Sequence, residues 1–180
     1  MRAAKFYVPL CLAGLCVADP ALASTKGWDH ASTIGDFVLI GAALGVPAVQ
    51  GDWKGDLQAG ESIGVAFGLA EGLKYAFPER RPDGSDNKSF PSGHASSAFA
   101  AAATLQNRYG WKVGLPAQVV AIFVGLARVE ARKHHWYDVA AGAAIGEASG
   151  FLLTSKRNSN VRIMPWGGTS GGGIALGMRF

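Results

Sequence analysis

The amino-acid sequence predicts an all-α protein: a compact bundle of five to six apolar helices with a short C-terminal β-like tail. Three observations carry that prediction. Apolar residues make up 49% of the 180-residue chain and charged ones only 17%. The apolar share is rich in Ala and Gly, a mix that suits helices packed closely together. The apolar residues also gather into stretches of helical rather than strand length, each bounded by polar or Gly/Pro-containing turns. The length is that of one domain around a single core.

The elements follow in order. Residues 1–23 read as a targeting segment. Arg2 and Lys5 precede an apolar run, and Ala21, Leu22 and Ala23 form a small-x-small cleavage site before Ser24. The expectation is cleavage; the alternative is that residues 6–23 stay attached as a first membrane helix, the sixth of the bundle. Cys11 and Cys16 both lie inside this segment, so a chain beginning at Ser24 has no thiol or disulfide chemistry. Five helices are expected at 32–49, 57–77, 94–107, 113–128 and 137–154, with a polar surface loop over 78–90. In the tail, Ile174, Leu176, Met178 and Phe180 alternate with small or polar residues, which predicts a strand pairing with 161–166 as a hairpin. The organisation expected is thus a leader at 1–23, a helical domain at 24–160 and a Gly-rich tail at 161–180.

Membrane association is expected, although the signals conflict. The third and fourth stretches fall short of the roughly 20 apolar residues of a span. Asp36, Glu61, Glu71 and Glu147 interrupt apolar faces. The turn cations Arg108, Lys112, Lys156 and Arg157 would share the side of the N-terminus, as the positive-inside tendency favours. The net charge of +4 includes no run of cations and no helical stripe, which argues against nucleic acid. A few cations focused on an anionic substrate explain the excess better.

Three segments carry the chemistry. Lys74 and Arg81 bracket the end of the second helix, Pro91-Ser92-Gly93-His94 opens the third, and Arg128, His134 and Asp138 bridge the fourth and fifth. Lys74, Arg81 and Arg128 are permanent cations; a guanidinium grips phosphate oxygens with a planar fork, and a lysine acts as a point charge. Ser92 and Gly93 sit where a helix N-terminus offers unpaired N–H groups to an anion. His134 and Asp138 are four residues apart, so on a helix they stack on one face. A carboxylate there can hold one ring nitrogen protonated and free the other to attack phosphorus. His94 is then available to protonate the leaving oxygen. If the helices run alternately up and down, all three segments meet at one end of the bundle. With a cytoplasmic N-terminus that end faces outward.

These segments resemble the three signature motifs of the type 2 phosphatidic acid phosphatase superfamily, a group that includes bacterial class A acid phosphatases, glucose-6-phosphatase and vanadium haloperoxidases. The resemblance runs from Lys74 to Asp138. It implies a helical core, no metal or other cofactor for phosphatase activity, and a phosphorylated lipid or other phosphate ester as substrate. It implies His134 as a nucleophile forming a phosphohistidine, Asp138 as its orienting partner and His94 as general acid. Lys74, Arg81, Ser92, Gly93 and Arg128 match the phosphate-binding positions. One departure is Ala127, where the family usually carries a serine that contacts phosphate.

Neighbouring residues read as bystanders. Spacing from Arg128 and Asp138 excludes His135 as the nucleophile; Arg80 reads as a solvated loop charge, and Arg132 and Lys133 as local potential. His30 reads as a surface residue, Trp136 and Tyr137 as packing, and 98–103 as close helix packing. The expected function is a phosphatase acting on lipid phosphomonoesters or diphosphates, exported to the cell envelope, with its site facing the periplasm. A secreted, soluble acid phosphatase of broad specificity is the alternative. A vanadium haloperoxidase and a non-catalytic lipid-phosphate binder are weaker ones: the chain is short for the former, and its catalytic set is intact against the latter.

Overall fold

Ser24 opens the first helix: its side chain accepts a hydrogen bond from the Gly27 N–H at 3.0 Å, filling one of the orphan donors of a helix start. The structure, a computed structural model, describes residues 24–157, 161–168 and 171–178; the leader expected over 1–23 lies outside them. Helix α1 (Thr25–Val49) begins about two turns before its apolar stretch, because a polar segment around Asp29 and Ser32 forms its first turns. Helix α2 (Trp53–Ala76) is capped by Asp52 and α3 (Gly93–Tyr109) by Ser92. Gly110, at φ 85°, separates α3 from α4 (Trp111–Glu130). Helix α5 (Trp136–Leu153) completes the bundle. Strands β1 (Val161–Gly168) and β2 (Gly171–Met178) pair antiparallel, with Val161 opposite Met178 and Trp166 opposite Gly173. The expected hairpin is thus present.

One expectation is corrected. The fourth helix is not short: it extends through Trp111 at one end and Glu130 at the other, 20 residues in all. Both α1 and α4 are long and apolar enough to cross a membrane.

Helix α3 is the axis of the bundle and packs against all four other helices. Its inward residues are small: Ala95, Ala98 and Ala100 to Ala103 are fully buried. Helix α5 approaches most closely, through glycines one turn apart. A Cβ built on Gly142 would lie 2.5 Å from the Ser92 carbonyl oxygen, and one on Gly146 would lie 2.4 Å from that of Ser96. Backbone therefore meets backbone along this seam, and the start of α5 is held directly against the start of α3. The large apolar side chains face outward instead, with Phe37 69% and Leu126 61% exposed.

The end away from the three segments is tied by a buried ion pair. Arg108 donates to Asp52 through Nε at 2.6 Å and to the Ser155 carbonyl at 2.9 Å, and Tyr109 donates to Asp52 at 3.0 Å. These bonds join the starts and ends of α2, α3 and α5, so the opposite ends of the same helices are fixed relative to one another.

Candidate active site

The three segments meet at one end of the bundle, as their alternating direction requires. The Ser92 N–H donates to the Asp138 carbonyl at 3.0 Å, a backbone bond joining the second and third segments. Arg81 Nη1 donates to the Lys133 carbonyl at 3.4 Å, joining the first to the third. Asp83 adds to that junction through Lys133 Nζ at 2.7 Å and the Arg132 carbonyl at 3.0 Å. Arg132 takes a left-handed conformation, φ 56°, an uncommon state for a residue with a Cβ. It turns the chain immediately before Lys133 and His134.

Gly93 packs against the first segment: a Cβ there would lie 2.9 Å from Oε1 at the end of the Glu71 side chain, which would have to shift, and in ordinary contact with Lys74 Nζ at 3.5 Å. Lys74 is buried and pairs with Glu71. Ser92 is fully buried, and its Oγ accepts from the Ala95 N–H at 3.4 Å. Arg81 Nε donates to Asp86 at 2.7 Å. Arg128, 4% exposed, gives Nη1 to Asp29 and to Ser32 Oγ, the latter at 3.2 Å.

His134 is 2% exposed, and its Nδ1 lies 2.7 Å from the Ser89 carbonyl oxygen. A carbonyl only accepts, so Nδ1 carries the proton and Nε2 keeps its lone pair. Burial pushes the His134 pKa down, and Arg128 and Arg81 add to the shift against the carboxylate of Asp138. The ring is therefore neutral at neutral pH. The Asp138 carboxylate is the second neighbour of the same nitrogen, behind that carbonyl: its Oδ2 stands 3.7 Å from Nδ1 and also accepts from Ser89 Oγ at 2.5 Å and the His135 N–H at 2.7 Å. Ser89 thus serves twice, its carbonyl on the histidine and its hydroxyl on the aspartate.

His94 stands in the first turn of α3. Burial, then the charge of Arg128, that of His134 when its ring too is protonated, and that of Lys74 push its pKa down to about 4, against the opposing effect of Asp29. Its Nε2 lies 3.4 Å from Thr33 Oγ1.

The bystanders divide. His30 and Arg80 are exposed as expected, and 98–103 packs as expected. Trp136 and Tyr137 are not packing residues: both are exposed, and Tyr137 stacks on His135 and donates to Glu79. Lys133 is engaged with Asp83 rather than free in the loop. Glu79, His135 and Asp138 bring one ligand atom each within 4.8 Å of one another, which could hold a cation. The Asp138 oxygen facing His135 already accepts two hydrogen bonds. Sequence reasoning missed Ser89, Asp29 and Thr33. For Ser89 only its place just before the Pro91-Ser92-Gly93-His94 segment could have drawn notice.

A helical bundle with three cations, a helix N-terminus and two imidazoles at one end defines a class. The family model of the PAP2 superfamily matches residues 55–162, and the chain belongs to that superfamily. Among its relatives, a lipid A 1-phosphatase of Porphyromonas gingivalis is 35% identical over 103 residues, covering 54% of this chain and 23% of the relative. A lipid A 4'-phosphatase of Helicobacter pylori is 34% identical over 116 residues, covering 58% of this chain and 59% of the relative. The chain thus spans less than two thirds of either. A decaprenylphosphoryl-5-phosphoribose phosphatase of Mycobacterium tuberculosis is 32% identical over 147 residues, 74% of this chain and 79% of the relative. The crystal structure of Aquifex aeolicus LpxE shares the fold, with a TM-score of 0.63 at 23% identity over 75% of this chain and 86% of that one.

Proposed function

We propose that the protein is a phosphatase that removes phosphate from monoesters or diphosphates of lipids through a phosphohistidine on His134. The observation that carries this reading is the Ser89 carbonyl on His134 Nδ1, which leaves an unprotonated Nε2 on a ring that feels the charges of Arg81 and Arg128. In the reaction, Nε2 attacks phosphorus and the bond from phosphorus to the leaving oxygen breaks. His94 gives its proton to that oxygen. Water then attacks the phosphohistidine, returning a proton to His94 and releasing inorganic phosphate and free His134. Lys74, Arg81, Arg128 and the N–H groups that open α3 from Gly93 onward stabilise the charge that builds on the equatorial oxygens; the Ser92 N–H is already taken by the Asp138 carbonyl. Asp138 fixes the loop around His135 and supplies negative charge near the ring as it becomes cationic.

The lipid part of the reading rests on the outer surface. A helix of 25 residues such as α1 is about 38 Å long at 1.5 Å per residue, enough to cross a hydrocarbon layer of about 30 Å. Exposed aromatics stand near both ends: Trp53 and Trp111 at one, Tyr75, Phe77, Trp136 and Tyr137 at the site end. That is the placement of interfacial aromatic belts, and the exposed apolar side chains between them suit lipid contact. All three relatives are named as phosphatases of a phosphorylated lipid, which supports the same substrate class here. The outward-facing site follows from the leader reading: if residues 6–23 enter the membrane from the cytoplasm, the start of α1 and the site lie on the far side.

The test is phosphate release by purified protein from phosphatidate, polyprenyl diphosphate and lipid A in mixed micelles, beside p-nitrophenyl phosphate, with His134→Ala as control. Lipid esters should be preferred and the variant inactive. Equal turnover of the soluble ester would favour the soluble acid phosphatase, and an active variant would remove the nucleophile.

A further inference from the structure

Helix α1 precedes the segment matched by the family model, residues 55–162, yet one of its faces closes the site. Asp29, Ser32, Thr33 and Asp36 stand at helical spacing on that face, and each meets a site group. Asp29 and Ser32 take Arg128 Nη1. Thr33 Oγ1 lies 3.4 Å from His94 Nε2. Asp36 accepts from Ser97 Oγ at 2.9 Å through both oxygens, and the same hydroxyl lies 3.2 Å from the His94 carbonyl.

Thr33 is placed to donate its one proton to the Asp29 carbonyl at 3.0 Å; with that proton spent its oxygen accepts from His94 Nε2, which carries the hydrogen in that tautomer. Ser32 likewise donates to the Asp29 carbonyl at 2.7 Å and accepts from Arg128. Arg128 Nε is buried and without a partner, so the guanidinium is anchored at one terminal nitrogen and keeps a donor for an incoming anion.

Resting on the phosphatase reading above, we propose that Asp29 and Thr33 of α1 are positioning residues of that reaction. Asp29 holds Arg128 from behind so that its unused donor meets a phosphate oxygen. Thr33 holds the proton-bearing nitrogen of His94 in place until the leaving oxygen displaces it. The charged groups acting on His94 are Asp29 from α1, Lys74 from α2, Arg128 from α4 and, when its ring is protonated, His134 from the loop. Asp29 is the carboxylate among them that supports the His94 proton.

The test uses the full chain in detergent, with Asp29→Ala, Asp29→Asn, Thr33→Val and Thr33→Ser. Two readouts are taken: calorimetric binding of inorganic phosphate, and the pH dependence of kcat and KM on phosphatidate micelles, with unfolding midpoints as a check of folding. Asp29→Ala should weaken phosphate binding about tenfold or more, the scale of one lost charge-assisted hydrogen bond. Asp29→Asn, which keeps an acceptor for Nη1, should recover most of that affinity while its kcat/KM falls at lower pH than in wild type. Thr33→Val should bind phosphate normally and lose about tenfold in kcat with KM little changed, and Thr33→Ser should restore it. Phosphate binding by Asp29→Ala equal to or tighter than wild type would overturn the clamp, and so would an unchanged kcat and pH profile in Thr33→Val. A wild-type protein that binds phosphate but hydrolyses no ester would refute the phosphatase reading alone, because the Asp29 binding comparison still decides the clamp. Absence of phosphate binding in wild type would refute both.

Discussion

In the protein without bound substrate His94 is neutral near pH 7, because burial and its cationic neighbours bring its pKa to about 4. A general acid needs a proton, and the substrate must supply the condition for holding it. One net negative charge arriving about 4 Å away, at an effective dielectric constant of about 20, favours the protonated ring by about 4 kcal/mol. That is about three pKa units, which carries His94 from about 4 to about 7. The sign is fixed: an anion raises the pKa of a cationic acid, so the bound complex keeps its proton to higher pH than the free enzyme does. The profile of kcat/KM reports free enzyme and free substrate, and that of kcat reports the complex. The kcat/KM profile should therefore peak on the acid side, between the pKa of free His94 and the second ionisation of a phosphate monoester at about 6. The kcat profile should hold up to about pH 7 before falling. Steady-state kinetics on micellar phosphatidate across pH, with His94→Asn as comparison, measures both. Superimposed alkaline limbs for kcat and kcat/KM, or a kcat limb that survives in His94→Asn, would refute this assignment.

Two further outcomes follow from the geometry. Gly146→Ala places a Cβ 2.4 Å from the Ser96 carbonyl oxygen, so α5 must move off α3; overpacking of this kind costs typically 1–3 kcal/mol, and a lowered unfolding midpoint with reduced kcat should be seen by thermal denaturation and assay. Ser89→Ala removes the 2.5 Å bond to Asp138 but keeps the carbonyl that holds His134. The loss of a hydrogen bond to a charged group, about 1.5–3 kcal/mol, should appear mainly as a fall in kcat of roughly tenfold or more, and an unchanged kcat would show that Asp138 needs no help from that hydroxyl.

Much of this architecture is legible in the chain because it depends on local pattern. The alternation of apolar stretches and turns locates the helices, and the direction of successive helices brings Lys74, Arg81, His94, Arg128, His134 and Asp138 to one end. What the pattern does not reveal depends on contacts distant in sequence. Asp36, Glu71 and Glu147 read as interruptions of apolar faces, yet Asp36 meets Ser97 and Glu147 meets Gln118 across helix interfaces, and Glu71 pairs with Lys74 one turn on in its own helix. The spacing of Asp29, Ser32, Thr33 and Asp36 on one helical face was a readable signal of a polar stripe, but its partners on α3 and α4 were not. Ser89 acts through its backbone oxygen, and no side-chain motif records where a carbonyl will point. The i, i+4 spacing of His134 and Asp138 does bring the carboxylate to within 3.7 Å of the ring nitrogen, but not along a shared helix face: Asp138 also accepts from the His135 N–H at the start of α5, and His134 precedes the helix rather than lying on it.

The central claim is that His134 Nε2 becomes covalently bonded to phosphorus. Rapid quenching of the protein with a 32P-labelled phosphate ester should trap label that is stable to alkali and lost in acid, that maps to the peptide carrying His134, and that is absent in His134→Ala. Label on another residue, or full turnover by His134→Ala, would contradict it.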